Sequence, residues 1–300
     1  MSKVSIIIPA RTEKYLNKTI EDILAKATGE IEVIPVLDGY TWAELFKLRK
    51  IEDKRVKYIS LPLPEDFDRH KRQAINVGVS IAKGKFVCWM DGHCVVAPGF
   101  DEQLAKDCQD NWAMVPRRYR LNPDKWDREG WEGRPPIDYE YFMWQKLTKQ
   151  RRFSKYRWDL KSEARKDIPI DDIFTAQASF FFMTKRWFQR CGFMKVDGYT
   201  GWGQEGEEVC MTTIQNGGRA VVDKNTWYAH MHKGQMHGWM YKWTNVEPSY
   251  EYAFKHWIYE EKEFFVNLIN RFMPLPNFTP DWEKKLYNQY DPKYSYLLKK

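Results

Sequence analysis

Cysteine is scarce in this chain and shows no pairing pattern. The 300 residues contain five, Cys88, Cys94, Cys108, Cys191 and Cys210. An odd number with no C-x-x-C spacing excludes a disulfide-stapled scaffold and a zinc ribbon, and fits reduced, mostly buried thiols. Long apolar runs are missing as well. No stretch approaches the ~18 residues of a membrane span. Met1-Ser2-Lys3 leads straight into the apolar Val4-Ser5-Ile6-Ile7-Ile8, which leaves no room for a signal peptide and makes a cytoplasmic protein the expectation. Internal repeats and low-complexity linkers are absent, so neither a solenoid nor a disordered chain is indicated.

What is present describes a folded α/β protein. Hydrophobic residues make up 43% and charged residues 30%, and mean hydropathy is -0.68, as in soluble globular domains. The net charge of +7 is unevenly placed. Residues 117 to 167 hold 15 Lys/Arg against 9 Asp/Glu, so one segment carries most of the excess and is expected to face something anionic.

Val4–Ile8 is a β-branched run ended by Pro9, and apolar residues at helical spacing follow (Leu16, Ile20, Ile23, Leu24). A second apolar run, 31 to 37, stops at Asp38-Gly39. Strand, helix and strand in this order indicate a βαβ unit in a mostly parallel sheet. The rhythm continues with a helix over 69 to 82 and a buried strand, Phe86-Val87-Cys88-Trp89-Met90, ending at Asp91-Gly92-His93. Ligands of open α/β sheets sit beyond the carboxyl ends of the strands, where Asp38 and Asp91 both fall. From Pro116 to about Ile170 the rhythm is lost, and this stretch reads as an insertion with a helix over 139 to 152. Further on, the pattern predicts a strand over 178 to 183, a helix over 205 to 215, a short strand at Ala220-Val221-Val222 and one helix from 250 to 272.

Asp91-x-His93 at a strand end puts two ligands on one side of the chain, because strand side chains repeat every two residues. Carboxylate and imidazole together can hold a divalent cation, which stabilises the charge on a departing diphosphate.

Several blocks carry a family resemblance. Over residues 4 to about 265 the chain resembles the GT-A fold, family 2-like glycosyltransferases, and within them the polypeptide N-acetylgalactosaminyltransferases. Ile8-Pro9-Ala10-Arg11-Thr12-Glu13 resembles the first strand and its P-x-x-N-E turn, with Thr12 in place of Asn. Asp38-Gly39 matches a D-G that faces uridine in the family. Ala74-x-Asn76-x-Gly78 and Met90-Asp91-Gly92-His93-Cys94 follow the central block, and the D-x-H-C variant is the feature of the N-acetylgalactosaminyl branch. Gly198-Tyr199 with Trp202-Gly203-Gln204-Glu205 and Glu208 resembles the G-Y…W-G-G-E-N-x-E motif, with Gln204 replacing Gly and Gly206 replacing Asn. The resemblance implies a GT-A-like, Rossmann-like sheet flanked by helices. It also implies a UDP-sugar donor and a Mn2+ or Mg2+ ion on Asp91, His93 and a later histidine, His230 or its neighbour His232. Pro9, Arg11, Glu13, Asp38, Arg72, Asp91, Gly92 and Trp202 would line the donor site, with Lys71 a further candidate for the diphosphate. Glu205 would act at the sugar or acceptor hydroxyl while Glu208 braces the site; a solvated acidic helix face is the alternative for this pair. Retention is implied, with an inverting enzyme using Glu205 or another carboxylate of that block as base the alternative. The stretch from Gly234 to Trp243 resembles a lid that closes over the donor.

The expected organisation is a catalytic domain over 1–232, including an acceptor-side insertion over 117–170, and a lid with a helical extension over 233–300. Ten aromatics lie between 117 and 167. Tyr119, Trp126, Trp131, Trp144, Tyr156 and Trp158 interleave there with Arg117, Arg118, Arg120, Arg151, Arg152 and Arg157. Cations beside rings suit a polyanion, with hydroxylated or otherwise modified DNA the leading acceptor. A glycan, lipid or protein acceptor is the alternative. A non-catalytic binder of sugar nucleotides or nucleic acid is another.

Overall fold

The computed structural model describes residues 3–62, 70–128, 135–232 and 246–288. The N-terminal half runs β1 (Val4–Ala10), α1 (Leu16–Lys26), β2 (Ile31–Asp38), α2 (Trp42–Lys47), β3 (Ile59–Leu61), α3 (Lys71–Ile81), β4 (Phe86–Met90), β5 (Cys94–Val96), α4 (Phe100–Asp107) and β6 (Trp112–Asn122). There follow β7 (Asp127–Arg128), β8 (Glu140–Phe142), α5 (Trp144–Gln150), β9 (Lys155–Arg157), α6 (Asp159–Ala164), β10 (Ile170–Asp172), β11 (Phe180–Thr184) and α7 (Lys185–Cys191). The chain continues through α8 (Glu205–Gln215), β12 (Arg219–His230), α9 (Glu247–Phe254), a π-helical turn (Lys255–Glu260), α10 (Lys262–Phe272) and α11 (Trp282–Asn288).

The large sheet has the order β10-β12-β6-β11-β4-β1-β2-β3, with β5 also on β12 and β7 on β6. Its longest ladders, β1 with β2 and β6 with β12, are parallel. β11 runs antiparallel to β4 on one side and β6 on the other. Strands covered on both faces need no polar side, which is why β1, β2, β4 and β11 are mostly apolar, and Ser5 of β1 bonds Glu32 of β2 at 2.6 Å. Ile6, Ile7, Val33, Val87, Trp89 and Phe181 are all fully buried. Thr184 caps α7 by accepting from Trp187 N, and Thr41 with Glu44 forms a capping box on α2.

A second core joins the inserted segment to the C-terminal helices. Phe142, Leu147, Phe153, Phe174 and Met211 pack there with Trp257, Phe265, Ile269 and Trp282. Full burial of such side chains is worth about 1.5–3 kcal/mol each, so docking, more than helix propensity, holds α9 to α11 in place. The residues after 246 thus share their core with the segment expected to be a separate insertion.

Four expectations change. β6 runs on to Asn122, so Arg117, Arg118 and Arg120 belong to a sheet strand and not to an insertion. The helix expected over 139–152 divides into β8, which pairs with β9, and α5. The short strand at 220–222 is the start of a 12-residue strand that passes an irregularity between Asp223 and Trp227 and ends at His230. The single helix expected over 250–272 is broken at Glu261, between the π turn and α10. All five cysteines are free thiols. Among the described residues no helix is long and apolar enough to cross a membrane. The expected lid over 234–243 lies outside the described residues, as does Trp131.

Candidate active site

The ends of β1, β4 and β12 open onto one cavity of about 390 Å3, whose far wall is the turn leading into α8. Asp91 follows β4 directly and His93 lies two residues on, while His230 is the last residue of β12. The register that pairs His230 with Cys94 of β5 brings the two histidines side by side. Their Nε2 atoms are 3.0 Å apart. Asp91 Oδ2 lies 3.3 Å from His230 Nε2 and 4.0 Å from His93 Nε2. Among the described residues this is the trio whose ligand atoms all fall within 4.8 Å of one another. His232 instead packs its ring against that of His230, centroids 5.1 Å apart.

Two imidazole nitrogens at this separation need a proton or a cation between them. Adjacent ligands of an octahedral ion with bonds of about 2.1 Å lie about 3.0 Å apart, so the histidine pair fits such an ion. Burial pushes His230 down to about 4, against the pull of Asp91, which keeps the ring neutral and its lone pair available. His93 Nδ1 faces Glu13 Oε2 at 3.1 Å. Nε2 is the nitrogen that faces Asp91 and His230. Glu13 thus stands behind a histidine, and its own backbone N–H donates to the Tyr40 hydroxyl at 3.1 Å. Gly92 permits this arrangement. A Cβ there would come within 2.7 Å of Glu13 Cγ and displace the carboxylate.

Burial alone would raise Asp91, but the Lys71 ammonium and the two imidazoles hold its carboxyl well below the usual range. Lys71 Nζ donates to Asp91 Oδ1 at 2.8 Å and to the Ala178 carbonyl at 3.2 Å. Pro9, Arg11 and Asp38 line the same cavity. Asp38 Oδ2 accepts from His70 N at 2.8 Å and lies 4.0 Å from Arg11 Nη1.

On the far wall, Trp202, Gly203, Gln204 and Glu205 face the cavity. Glu205 Oε1 accepts from Gly203 N at 2.8 Å. The solvated acidic face that was the alternative for this helix is excluded, since Glu205, Glu207 and Glu208 are 3%, 0% and 1% exposed. They sit in the first turn of α8, where the helix dipole favours negative charge. Glu207 is paired with Lys155. Glu208 is paired with Arg72 and also accepts from Lys195 N at 2.8 Å.

Arg72 is the donor-site expectation that moves. Its guanidinium is committed to Glu208, to the carbonyls of Gly203 and Lys195 at 3.1 Å each, and to the face of Tyr199. Neither Arg72 nor Glu208 lines the cavity, and the basic side chain that does at this helix is Lys71. Phe153, Ser154, Lys155, Gln177 and Tyr250 also line it, and no motif marks them. Their places follow from the second core, whose contacts have no periodic signature.

Several cations of the basic segment are paired within the protein. Arg117 forms a two-bond pair with Asp138, and Arg118 meets Glu140 and Gln177. Arg157 donates to Asp159 at 2.6 Å, and Arg165 is paired with Asp171. Arg152 lies 3.9 Å from Glu247 and over the ring of Tyr250.

Comparison with known proteins points the same way. Residues 5–191 match the profile of glycosyl transferase family 2. Glycosyltransferase GlyG of Streptococcus pneumoniae is 31% identical over 115 residues, 37% of each chain. An uncharacterized glycosyltransferase of Haemophilus influenzae is 28% identical over 111 residues, 36% of this chain and 33% of its own. The chain therefore spans about a third of the length of the curated relatives it matches. In structure it is similar to GalNAc-T7, solved with UDP, GalNAc and Mn2+, at a TM-score of 0.63 and 17% identity over 96% of this chain and 55% of that one.

Proposed function

Because the chain belongs to glycosyl transferase family 2, we propose that its cavity binds a UDP-sugar with a divalent ion, manganese or magnesium, and moves the sugar to a hydroxyl acceptor. The convergence of Asp91, His93 and His230 at the strand ends carries this reading. An ion bound there would neutralise the diphosphate as it leaves. Glu13 stands against His93 Nδ1, and Lys71 steadies Asp91 while adding positive charge beside the phosphates. Pro9, Arg11 and Asp38 border the nucleotide end, and Trp202 with Glu205 the sugar end. Arg72 and Glu208 act through packing, holding the turn that presents Glu205. Retention is the stereochemistry we assign, as the resemblance to the polypeptide N-acetylgalactosaminyltransferases implies.

Modified DNA is the weaker acceptor, since Arg117, Arg118 and Arg157 are spent on internal carboxylates. A free hydroxyl on a glycan, lipid or protein suits the cavity better.

A screen of UDP-, GDP- and dTDP-sugars, with and without a chelator, tests the proposal. Turnover is expected with a UDP-sugar, lost on chelation and restored by Mn2+. A Glu205→Gln variant should bind UDP normally yet lose about a hundredfold in transfer. Absence of both UDP binding and donor turnover would refute the reading. Tight, salt-sensitive binding to duplex or single-stranded DNA would bring the nucleic-acid acceptor back.

A further inference from the structure

The turn that leads into α8 places glycine wherever its backbone is left-handed, at Gly198 (φ 86), Gly201 (φ 60) and Gly203 (φ 112), until Gln204 (φ 64). A side chain in this conformation is strained, and glycine is the unstrained choice. Gln204 gains nothing as a cap in exchange. It is the N-cap of α8, yet its side chain makes no capping bond. The amide reaches instead to the inserted segment, where Nε2 donates to the Phe153 carbonyl at 3.2 Å. That bond fixes which end of the amide points which way, because a carbonyl can only accept. Oε1 is left buried with no partner among the described residues. The residue is 6% exposed and lines the cavity between Trp202 and Glu205.

A buried acceptor without a donor is unfavourable in the free protein and is relieved by a ligand that brings one. We infer that Gln204 is a specificity-determining residue whose Oε1 accepts a hydrogen bond from a hydroxyl or amide N–H of the sugar held in the cavity. The inference depends on the UDP-sugar reading above. It adds to it a residue that selects among sugars by whether they present a hydrogen at one position. Such a hydrogen can come from the donor sugar or from a sugar acceptor, and donor hydrolysis measured without acceptor separates the two sources.

The test compares the wild-type chain with Gln204→Gly and with Gln204→Met, which keeps the length of the side chain and removes its polar atoms. For each, kcat/KM is measured over UDP-hexoses, UDP-N-acetylhexosamines and their singly deoxygenated analogues, together with the Kd for UDP and the melting temperature. Both variants should lose about tenfold on the preferred donor, equivalent to about 1.4 kcal/mol, with the Kd for UDP within about twofold. The analogue lacking the hydrogen that is read should be turned over equally by all three proteins. A loss seen only in transfer to a sugar acceptor, with donor hydrolysis unchanged, would place the hydrogen on the acceptor. Gln204→Gly removes the strain, so its melting temperature should hold, and it carries the test if Gln204→Met fails to fold. An equal loss across the whole panel, or no loss at all, would overturn the role of Gln204. A wild-type chain that binds no UDP and turns over no donor would instead overturn the reading on which it depends.

Discussion

Behind the α8 wall of the cavity, Glu207 and Glu208 each meet a cation of the protein, Lys155 and Arg72. On the strand-end wall, Asp91, His93 and His230 crowd toward one another, and a single ammonium, Lys71, stands to one side. Both walls bury charged or ionisable groups, but only the first settles them internally. Buried pairs whose members satisfy each other hold the chain in place and offer little to a ligand. A cluster of lone pairs that face inward, with too little positive charge for them, is built for something that arrives from outside. The contrast separates two kinds of residue that look alike in the sequence, where Glu208 and Asp91 are equally plausible site acids.

The strand-end wall is where a break should do most. His93→Ala is expected to lower metal-dependent donor turnover at least about a thousandfold, near 4 kcal/mol. Circular dichroism should stay unchanged. Metal-dependent activity that survives the change would remove His93 from the ligand set.

The α8 wall should answer in stability. Arg72→Met strands Glu208 in the interior and is expected to cost about 3–5 kcal/mol in urea unfolding. Adding Glu208→Gln should recover part of that loss, since the orphaned charge is then gone. Additive losses in this double-mutant cycle would mean that the two side chains do not work as a pair.

The smallest effect sharpens the contrast with a buried acid that, among the described residues, has neither a protein cation nor a place in the cavity. Asp223 lies on β12, fully buried, and its carboxyl is pushed up to about 7, chiefly by burial, with Asp107 adding repulsion and Asn225 N pulling the other way. The folded state then holds this proton more tightly than the unfolded chain does. Its contribution is fully present below about pH 4 and is lost as pH rises through about 7. Asp223→Asn should flatten the fall between pH 4 and 7 and raise stability at pH 8. An unchanged pH profile of unfolding would show that Asp223 is ionised in the folded state without penalty.

Much of the strand-end wall was legible because its signals are local. Val4–Ile8, apart from Ser5, and Phe86–Met90 are apolar and stop at Pro9 and Asp91, so both strands and their ligand-facing ends could be read from a few residues. β12 was cut short because Lys224, Asn225 and Thr226 interrupt its apolar run where its pairing with β6 goes out of register. The partners of the charges were out of reach. Arg117 finds Asp138 across 21 residues, Lys155 finds Glu207 across 52 and Arg72 finds Glu208 across 136. No spacing rule links such positions, so a segment rich in arginine looked like a surface for polyanions when half of its named arginines are bound to carboxylates of its own chain.

The position of β12 also has a consequence for synthesis. This strand is made after β11, yet it lies between β6 and β10, both of which precede it in the chain. His230 emerges 137 residues after His93. At 5–20 residues per second on a ribosome, that interval is on the order of ten seconds. During it the nascent chain carries Asp91 and His93 without their third companion, and the sheet lacks the strand that attaches β10 and β5 to β6. An ion that requires all three ligands can be captured only by a chain whose last strand has gone in, so metal uptake would time-stamp the completion of folding.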